Sequence, residues 1–177
     1  MSVTADLIDF ARDSGAICSV YRGNGIALTW DGGRSWQHIW DTEGSRRPQA
    51  FYGESEYLEP RVPTMISDYG EIMLKWAIMR IGDKARWRRR WPRIDVPADP
   101  GSVDPQWSFE QLTPITGRLA LDGGYIPMEM RTIFPAHPEL NQLSQVMQMD
   151  FDALLAAYKE PSGGELLEQW VSLEGGA

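Results

Sequence analysis

Residues 16–41, AICSVYRGNGIALTWDGGRSWQHIWD, decide the fold, because short apolar runs alternate there with glycine-rich turns. The apolar runs are residues 16–22, 26–30 and 34–41, and the turns between them are Gly23-Asn24-Gly25 and Asp31-Gly32-Gly33. Glycine and asparagine are typical of the tight turns that join the strands of a hairpin. Parallel pairing would need longer connections than these. The stretch therefore predicts an antiparallel meander.

The rest of the chain adds further strands and three helical regions. Apolar residues alternate with polar ones in four more predicted strands, 50–58, 107–112, 117–122 and 125–131. Helical spacing predicts an N-terminal helix between Thr4 and Gly15, a mid-chain helix from Ser67 to Gly82 with a further turn after Asp83, and C-terminal helices at 138–148, 150–159 and 164–173. This pattern predicts a single α+β domain over residues 1–177. It has an antiparallel sheet of about six to seven strands and helices at the N-terminus, mid-chain and C-terminus.

Composition excludes several classes of protein. Hydrophobic residues make up 42% of the 177, which is enough for a core. The 25 acidic and 17 basic side chains give a net charge of −8, which opposes general nucleic-acid binding through bulk charge. A single cysteine, Cys18, excludes an internal disulfide framework. No apolar run reaches the roughly 20 residues of a membrane span, and no secretion leader is visible, so we expect a cytoplasmic protein that contacts neither membrane nor nucleic acid.

Candidate catalytic residues are few. The two histidines, His38 and His137, lie far apart in the sequence, and Cys18 lies among apolar neighbours on a predicted strand. No nucleophile elbow, phosphate-binding loop or zinc-protease motif is present. We therefore expect a protein that is not an enzyme and that uses no cofactor or metal. A small hydrolase that pairs a histidine with a carboxylate is the alternative.

The basic segment 80–93 is the most uneven charge feature. It holds 7 of the 17 cations and a single acid, Asp83, which leaves 10 positive and 24 negative charges elsewhere. The favoured interpretation is a cationic helix end that pairs with the acidic remainder of the fold. The alternative is an anion or RNA site, with Trp87 and Trp91 as stacking platforms. The acidic remainder favours a basic protein partner.

Four motifs in order carry a resemblance to a known family. They are Trp30-Asp31-Gly32-Gly33, the helix that ends Arg80-Ile81-Gly82-Asp83-Lys84-Ala85-Arg86, Trp91-Pro92-Arg93-Ile94, and Pro161-Ser162-Gly163-Gly164. The chain resembles the bacterial immunity proteins related to the immunity factor of the tuberculosis necrotizing toxin, over nearly its whole length. The resemblance implies an antitoxin that binds a secreted toxin one-to-one in the cytoplasm of the producing cell. In that system the toxin is an NAD-hydrolysing glycohydrolase, and the immunity factor obstructs its active site.

The predicted toxin-binding surface combines two glycine turns with nearby aromatic and charged side chains. Its residues are Asp31, Gly32, Gly33, Arg34, Trp36, Asp41 and Glu43, with Asp122, Gly123, Gly124 and Tyr125. Glycine allows a loop to approach a pocket closely, and aromatic rings supply contact area at low entropic cost. In the alternative interpretation, the tryptophans cover the second face of the sheet under a helix. A small binding module or a secretion chaperone is the alternative function.

Overall fold

A computed structural model of the chain describes residues 5–21, 25–42, 49–56 and 63–172. Its strands are β1 (Ile17–Tyr21), β2 (Gly25–Thr29), β3 (Trp36–Asp41), β4 (Ala50–Ser55), β5 (Met65–Ser67), β6 (Trp107–Thr113), β7 (Thr116–Leu121), β8 (Gly124–Tyr125) and β9 (Met128–Arg131). Its α-helices are α1 (Ala5–Asp13), α2 (Gly70–Arg88), α3 (Pro138–Val146), α4 (Phe151–Tyr158) and α5 (Gly164–Leu167). Short 3-10 helices cover Pro100–Ser102 and Glu168–Trp170. The predicted α+β class is confirmed.

All the strands described belong to one antiparallel sheet, in the order β1-β2-β3-β4-β5-β9-β7-β6, with β8 also paired to β7. The meander predicted from residues 16–41 is present as β1 to β3. The described strands number nine instead of the predicted six to seven. One addition is β5, whose three residues are too few to show an alternation. The other arises because Pro127, which has no N–H to donate, separates β8 from β9 within the predicted strand 125–131.

The pleat gives the sheet two different faces. The register partners Ile39, Tyr52, Met65 and Met130 form a row across four strands that is buried under the helices. Helix α2 packs on β4 and β5, and α3 packs on β7 and β9. The adjacent row points to the other face and is partly exposed: Trp40, Phe51, Ile66 and Glu129. We call this second face, which also carries Trp36, Arg118 and Tyr125, the open face.

Helix α2 differs from its prediction at both ends. It begins at Gly70 after Tyr69, and the hydroxyl of Ser67 accepts from the Tyr69 amide at 3.0 Å without capping the helix. It continues six residues beyond Gly82, to Arg88. Gly82 is a packing position, because a Cβ there would overlap the ring of Tyr158 in α4. This glycine brings two helices together and does not end one.

The smaller helix signals behave as predicted within the described residues. Gly15 follows α1 with a φ of 90°, and the Ala16 amide donates to the Ala11 carbonyl at 3.1 Å, as in a Schellman motif. The Asp150 carboxylate caps α4 by accepting from the Ala153 amide at 2.9 Å. Thr4, the predicted cap of α1, lies outside the described residues.

A buried arginine joins α2 to two other segments. Arg86 is only 1% exposed. Its guanidinium donates to the carbonyl of Pro92 in the connector after α2, and to the carbonyls of Tyr158, Glu160 and Pro161 at the end of α4. Burying a charge is costly unless its donors are satisfied. Here the four backbone carbonyls accept from the guanidinium and offset the cost of burying its charge.

The overlap at Gly82 predicts that Gly82→Ala destabilises the protein, although alanine is the better helix former. Overpacking of this kind costs about 1–3 kcal/mol, measured as a shift in the urea unfolding midpoint. Gly101→Ala is the matched control, because a Cβ at Gly101 has nothing within 4 Å. A Gly82→Ala protein as stable as the wild type would refute the packing role.

Replacement of Arg86 by methionine should destabilise the protein by at least about 3 kcal/mol, because the change removes every hydrogen bond that this buried guanidinium donates to the carbonyls of Pro92, Tyr158, Glu160 and Pro161. Urea unfolding followed by circular dichroism measures the loss. Arg88 is exposed at the last position of α2. The control substitution Arg88→Met should therefore lower the free energy of unfolding by less than about 0.5 kcal/mol. Equal losses in the two variants would contradict the special role of Arg86.

Candidate binding surface

The two predicted turns lie at opposite ends of the sheet. The turn 31–35 precedes β3, and the turn at Asp122 and Gly123 follows β7. Strands β3 and β7 run in the same direction, because four antiparallel steps separate them in the sheet. The structure therefore does not gather the predicted residues into one patch.

The turn between β2 and β3 is held by the side chain of Asp31. This carboxylate accepts from the Thr29 hydroxyl at 2.8 Å and from the Arg34 and Ser35 amides at 3.0 Å each. The Ser35 hydroxyl donates to the other carboxylate oxygen of Asp31 at 2.6 Å. These hydrogen bonds, those from Ser35 above all, hold the pKa of Asp31 well below its usual range. The acid that was predicted to meet a partner thus builds the turn itself.

The remaining residues of this turn are presented outward. Gly32 and Gly33 have φ angles of 72° and 91°, which L side chains rarely adopt, and Gly32 and Arg34 are exposed. The indole of Trp36 donates to the Gly33 carbonyl at 3.1 Å and packs on this glycine, so the ring is half-buried. The turn is therefore a preformed projection with one tethered aromatic ring.

The second turn has the geometry of a two-residue hairpin. Asp122 and Gly123 both have positive φ angles, 49° and 79°, as a type I′ turn requires. Tyr125 is 58% exposed, and the Arg118 guanidinium lies 4.0 Å from the centre of its ring. Arg118 also pairs with Glu110 at 2.5 Å. These contacts fix the orientation of an exposed tyrosine on the open face.

The remaining two residues of the predicted surface, Asp41 and Glu43, lie outside the two turns. Asp41 is half-buried at the end of β3, remote from the Asp31 turn. Glu43 lies outside the described residues. Trp36 and Tyr125 both project from the open face, so this face is what the two turns share.

The middle of the open face holds apolar residues that are absent from the predicted surface. Trp40 stacks on Phe51 with ring centres 5.2 Å apart. Beside them lies a hollow of about 400 Å³ lined by Pro63, Thr64, Ile66, Ile115, Thr116, Glu129 and Arg131. Ile115 is 54% exposed at its edge. The sequence signal for this apolar area is that β4 and β5 carry apolar residues on both faces. That Ile66 and Ile115 lie together depends on the order of the strands in the sheet, which the sequence pattern does not give.

Both histidines contact neutral side chains of the described residues. His38 is buried, with Nε2 2.9 Å from the Ser55 hydroxyl. His137 precedes α3, places Nδ1 2.8 Å from the Asn141 side-chain oxygen and stacks on Phe109. Within the described ranges, no group of three metal-ligating side chains occurs. None of the helices found there is long and apolar enough to cross a bilayer.

Comparisons with known proteins give one family and one similar fold. The family model described as Immunity protein 61 matches residues 10–165. Among solved structures, the chain is similar to Rv3902c from M. tuberculosis, with a TM-score of 0.72 and 18% identity over 93% of each chain. That similarity shows a shared fold. No curated protein matches the chain significantly.

The hydrogen bonds to Asp31 predict that Asp31→Ala loosens its turn without unfolding the sheet. The amides of Arg34 and Ser35 should then exchange with deuterium at least about tenfold faster, because they lose their acceptor. Hydrogen exchange followed by NMR resolves these two amides. Asp13→Ala, at the exposed end of α1, is the control. Unchanged exchange at both amides would show that Asp31 does not hold the turn.

Proposed function

Since the chain belongs to the Immunity protein 61 family, we propose that it binds a cognate toxin domain and occludes the active site of that toxin. The family match carries this proposal, because it covers residues 10–165 and defines an immunity role. It also confirms the resemblance to bacterial immunity proteins. We infer further that the toxin is an NAD-hydrolysing glycohydrolase, as the resemblance to the immunity factor of the tuberculosis necrotizing toxin implies.

The open face is the surface that we assign to the toxin. Both predicted turns border it, and Trp36 and Tyr125 project from it at opposite ends. A partner that lies along this face meets both turns at once, which reconciles the predicted residues with their separation. The stacked pair of Trp40 and Phe51 and the hollow beside Ile66 add apolar contact area at its centre.

Rigidity supports a tight complex. The Asp31 turn is fixed by side-chain hydrogen bonds, and Tyr125 is held by Arg118. Groups that are ordered before binding lose less conformational entropy when the complex forms. The surface is therefore suited to bind without rearrangement.

Charge supports the choice of toxin. NAD carries phosphates, so a cleft that binds NAD is favoured by positive charge. The chain has a net charge of −8, and Glu129 lies in the middle of the open face. Attraction between the acidic chain and a positively charged toxin cleft accelerates their association, and this acceleration decreases as the salt concentration rises.

The function is tested by affinity capture with the tagged chain from the cells that produce it. We expect a toxin domain in a one-to-one complex, whose hydrolysis of NAD, followed as release of nicotinamide, stops when the chain is added in equal amount. A captured toxin that is inhibited but does not hydrolyse NAD would retain immunity and refute the NAD assignment. A toxin that keeps its full activity in the complex would refute occlusion.

The surface is tested with substitutions at exposed positions. Tyr125→Ala should weaken toxin binding by at least about tenfold, and Asp122→Lys should slow association and reduce its salt dependence. Ala153→Arg and Asp152→Lys are matched controls, since both residues are exposed on α4. If Tyr125→Ala, Asp122→Lys and Arg34→Glu all bind like the wild type, the toxin docks elsewhere.

A further inference from the structure

A cleft beside the C-terminal half of α2 is separate from the open face. It measures about 400 Å³ and is lined by Gln37, Arg80, Asp83, Lys84, Arg86, Trp87, Trp91 and Arg93. Small-ligand sites typically enclose about 300–1,000 Å³. The cleft is lined by four of the seven cations of the basic segment 80–93, for which the sequence allows two interpretations.

Three of the cleft's cations already have partners, and two of these partners are acids, as the first interpretation predicts. Arg86 is satisfied by backbone carbonyls, Arg80 pairs with Glu54 at 3.0 Å, and Arg93 pairs with Asp95 at 3.0 Å. Lys84 differs: it is exposed, and no acid within the described ranges pairs with it. Arg93 is exposed, and an ion pair at the surface, such as the one it forms with Asp95, contributes little energy. Lys84 and Arg93 therefore both remain able to bind an anion.

Asp83 gives the cleft an unused acceptor. Its Oδ1 atom is buried and has no hydrogen-bond partner within the described residues. Burial raises the pKa of Asp83 to about 7, although Arg80, Arg93 and Arg86 favour its ionised form. A buried polar atom of this kind normally has a partner. A ligand that donates a hydrogen bond at this point would supply one.

The cleft also offers an aromatic surface. Trp87 is 68% exposed, the greatest exposure of any tryptophan that the structure describes. Trp91 is half-buried, and the Arg86 and Arg89 guanidinium groups already lie over its ring. The Arg88 guanidinium lies over the Trp87 ring, 5.3 Å from its centre, so a planar ligand would use the opposite face of this exposed ring.

We propose that this cleft binds a mononucleotide. The base lies against Trp87 and donates from its amino group to Asp83 Oδ1, while the phosphate meets Lys84 and Arg93. A single phosphate fits this small group of cations, whereas the 10 positive and 24 negative charges outside the basic segment oppose a long polyanion. The site is independent of toxin binding and stands on the geometry of the cleft.

Titration of the full chain with AMP in a calorimeter tests the site. We expect saturable one-to-one binding, weakened about tenfold for purine riboside 5′-monophosphate, which has no amino group to donate to Asp83. Adenosine and inorganic phosphate should each bind more weakly than AMP, because each carries half of the recognised groups. No saturable binding of AMP at millimolar concentration, or equal binding of AMP and inorganic phosphate, would overturn the proposal.

Two substitutions separate the cleft from nonspecific binding. Trp87→Ala should weaken AMP binding by about tenfold, since base stacking on an aromatic ring contributes on this scale, and Lys84→Ala should weaken it and reduce its salt dependence. Tyr69→Ala, an exposed aromatic at the other end of α2, and Lys159→Ala, an exposed lysine after α4, should not change it. Wild-type affinity in both cleft variants would show that AMP binds elsewhere.

Discussion

The structure depends on the hydrogen bonds that the Arg86 guanidinium donates to four backbone carbonyls. The carbonyl of Pro92 belongs to the connector that leaves α2, and the other three lie at and just after the end of α4. The Glu160 carbonyl also accepts from the Gly163 amide at 3.0 Å, and the guanidinium supplies donors at the point where α4 ends and leaves its last carbonyls without intrahelical partners. One turn earlier on the same helix, Gly82 lets the ring of Tyr158 approach the backbone. Together these two contacts fix where the C-terminal helices lie relative to the sheet.

This arrangement assigns the helices and the open face to different tasks. The helices bury the row that contains Ile39, Tyr52 and Met65, and that face supplies the stability of the fold. The opposite face keeps Trp40, Phe51 and Ile66 partly exposed without a role in that core. A sheet stabilised from one side can vary its other side with little cost in stability.

The comparison with the M. tuberculosis protein shows that this fold tolerates extensive change of sequence. The two chains share 18% identity, yet they align over 93% of their lengths with a TM-score of 0.72. A core tolerates many apolar exchanges when its pattern and volume are kept. A shared fold does not by itself imply a shared binding surface.

The sequence alone determined the α+β class, the meander of residues 16–41, the tight turn at Asp122 and Gly123, and the Asp150 cap, because each depends on neighbouring residues. It also carried the resemblance to immunity proteins. Only the tertiary structure decided that Gly82 is a packing position and that α2 continues to Arg88, since the reason is a ring 76 residues further along the chain. The order of the strands likewise decided that the two predicted turns lie at opposite ends of the sheet. Strand order is set by contacts between distant segments, which no local pattern records.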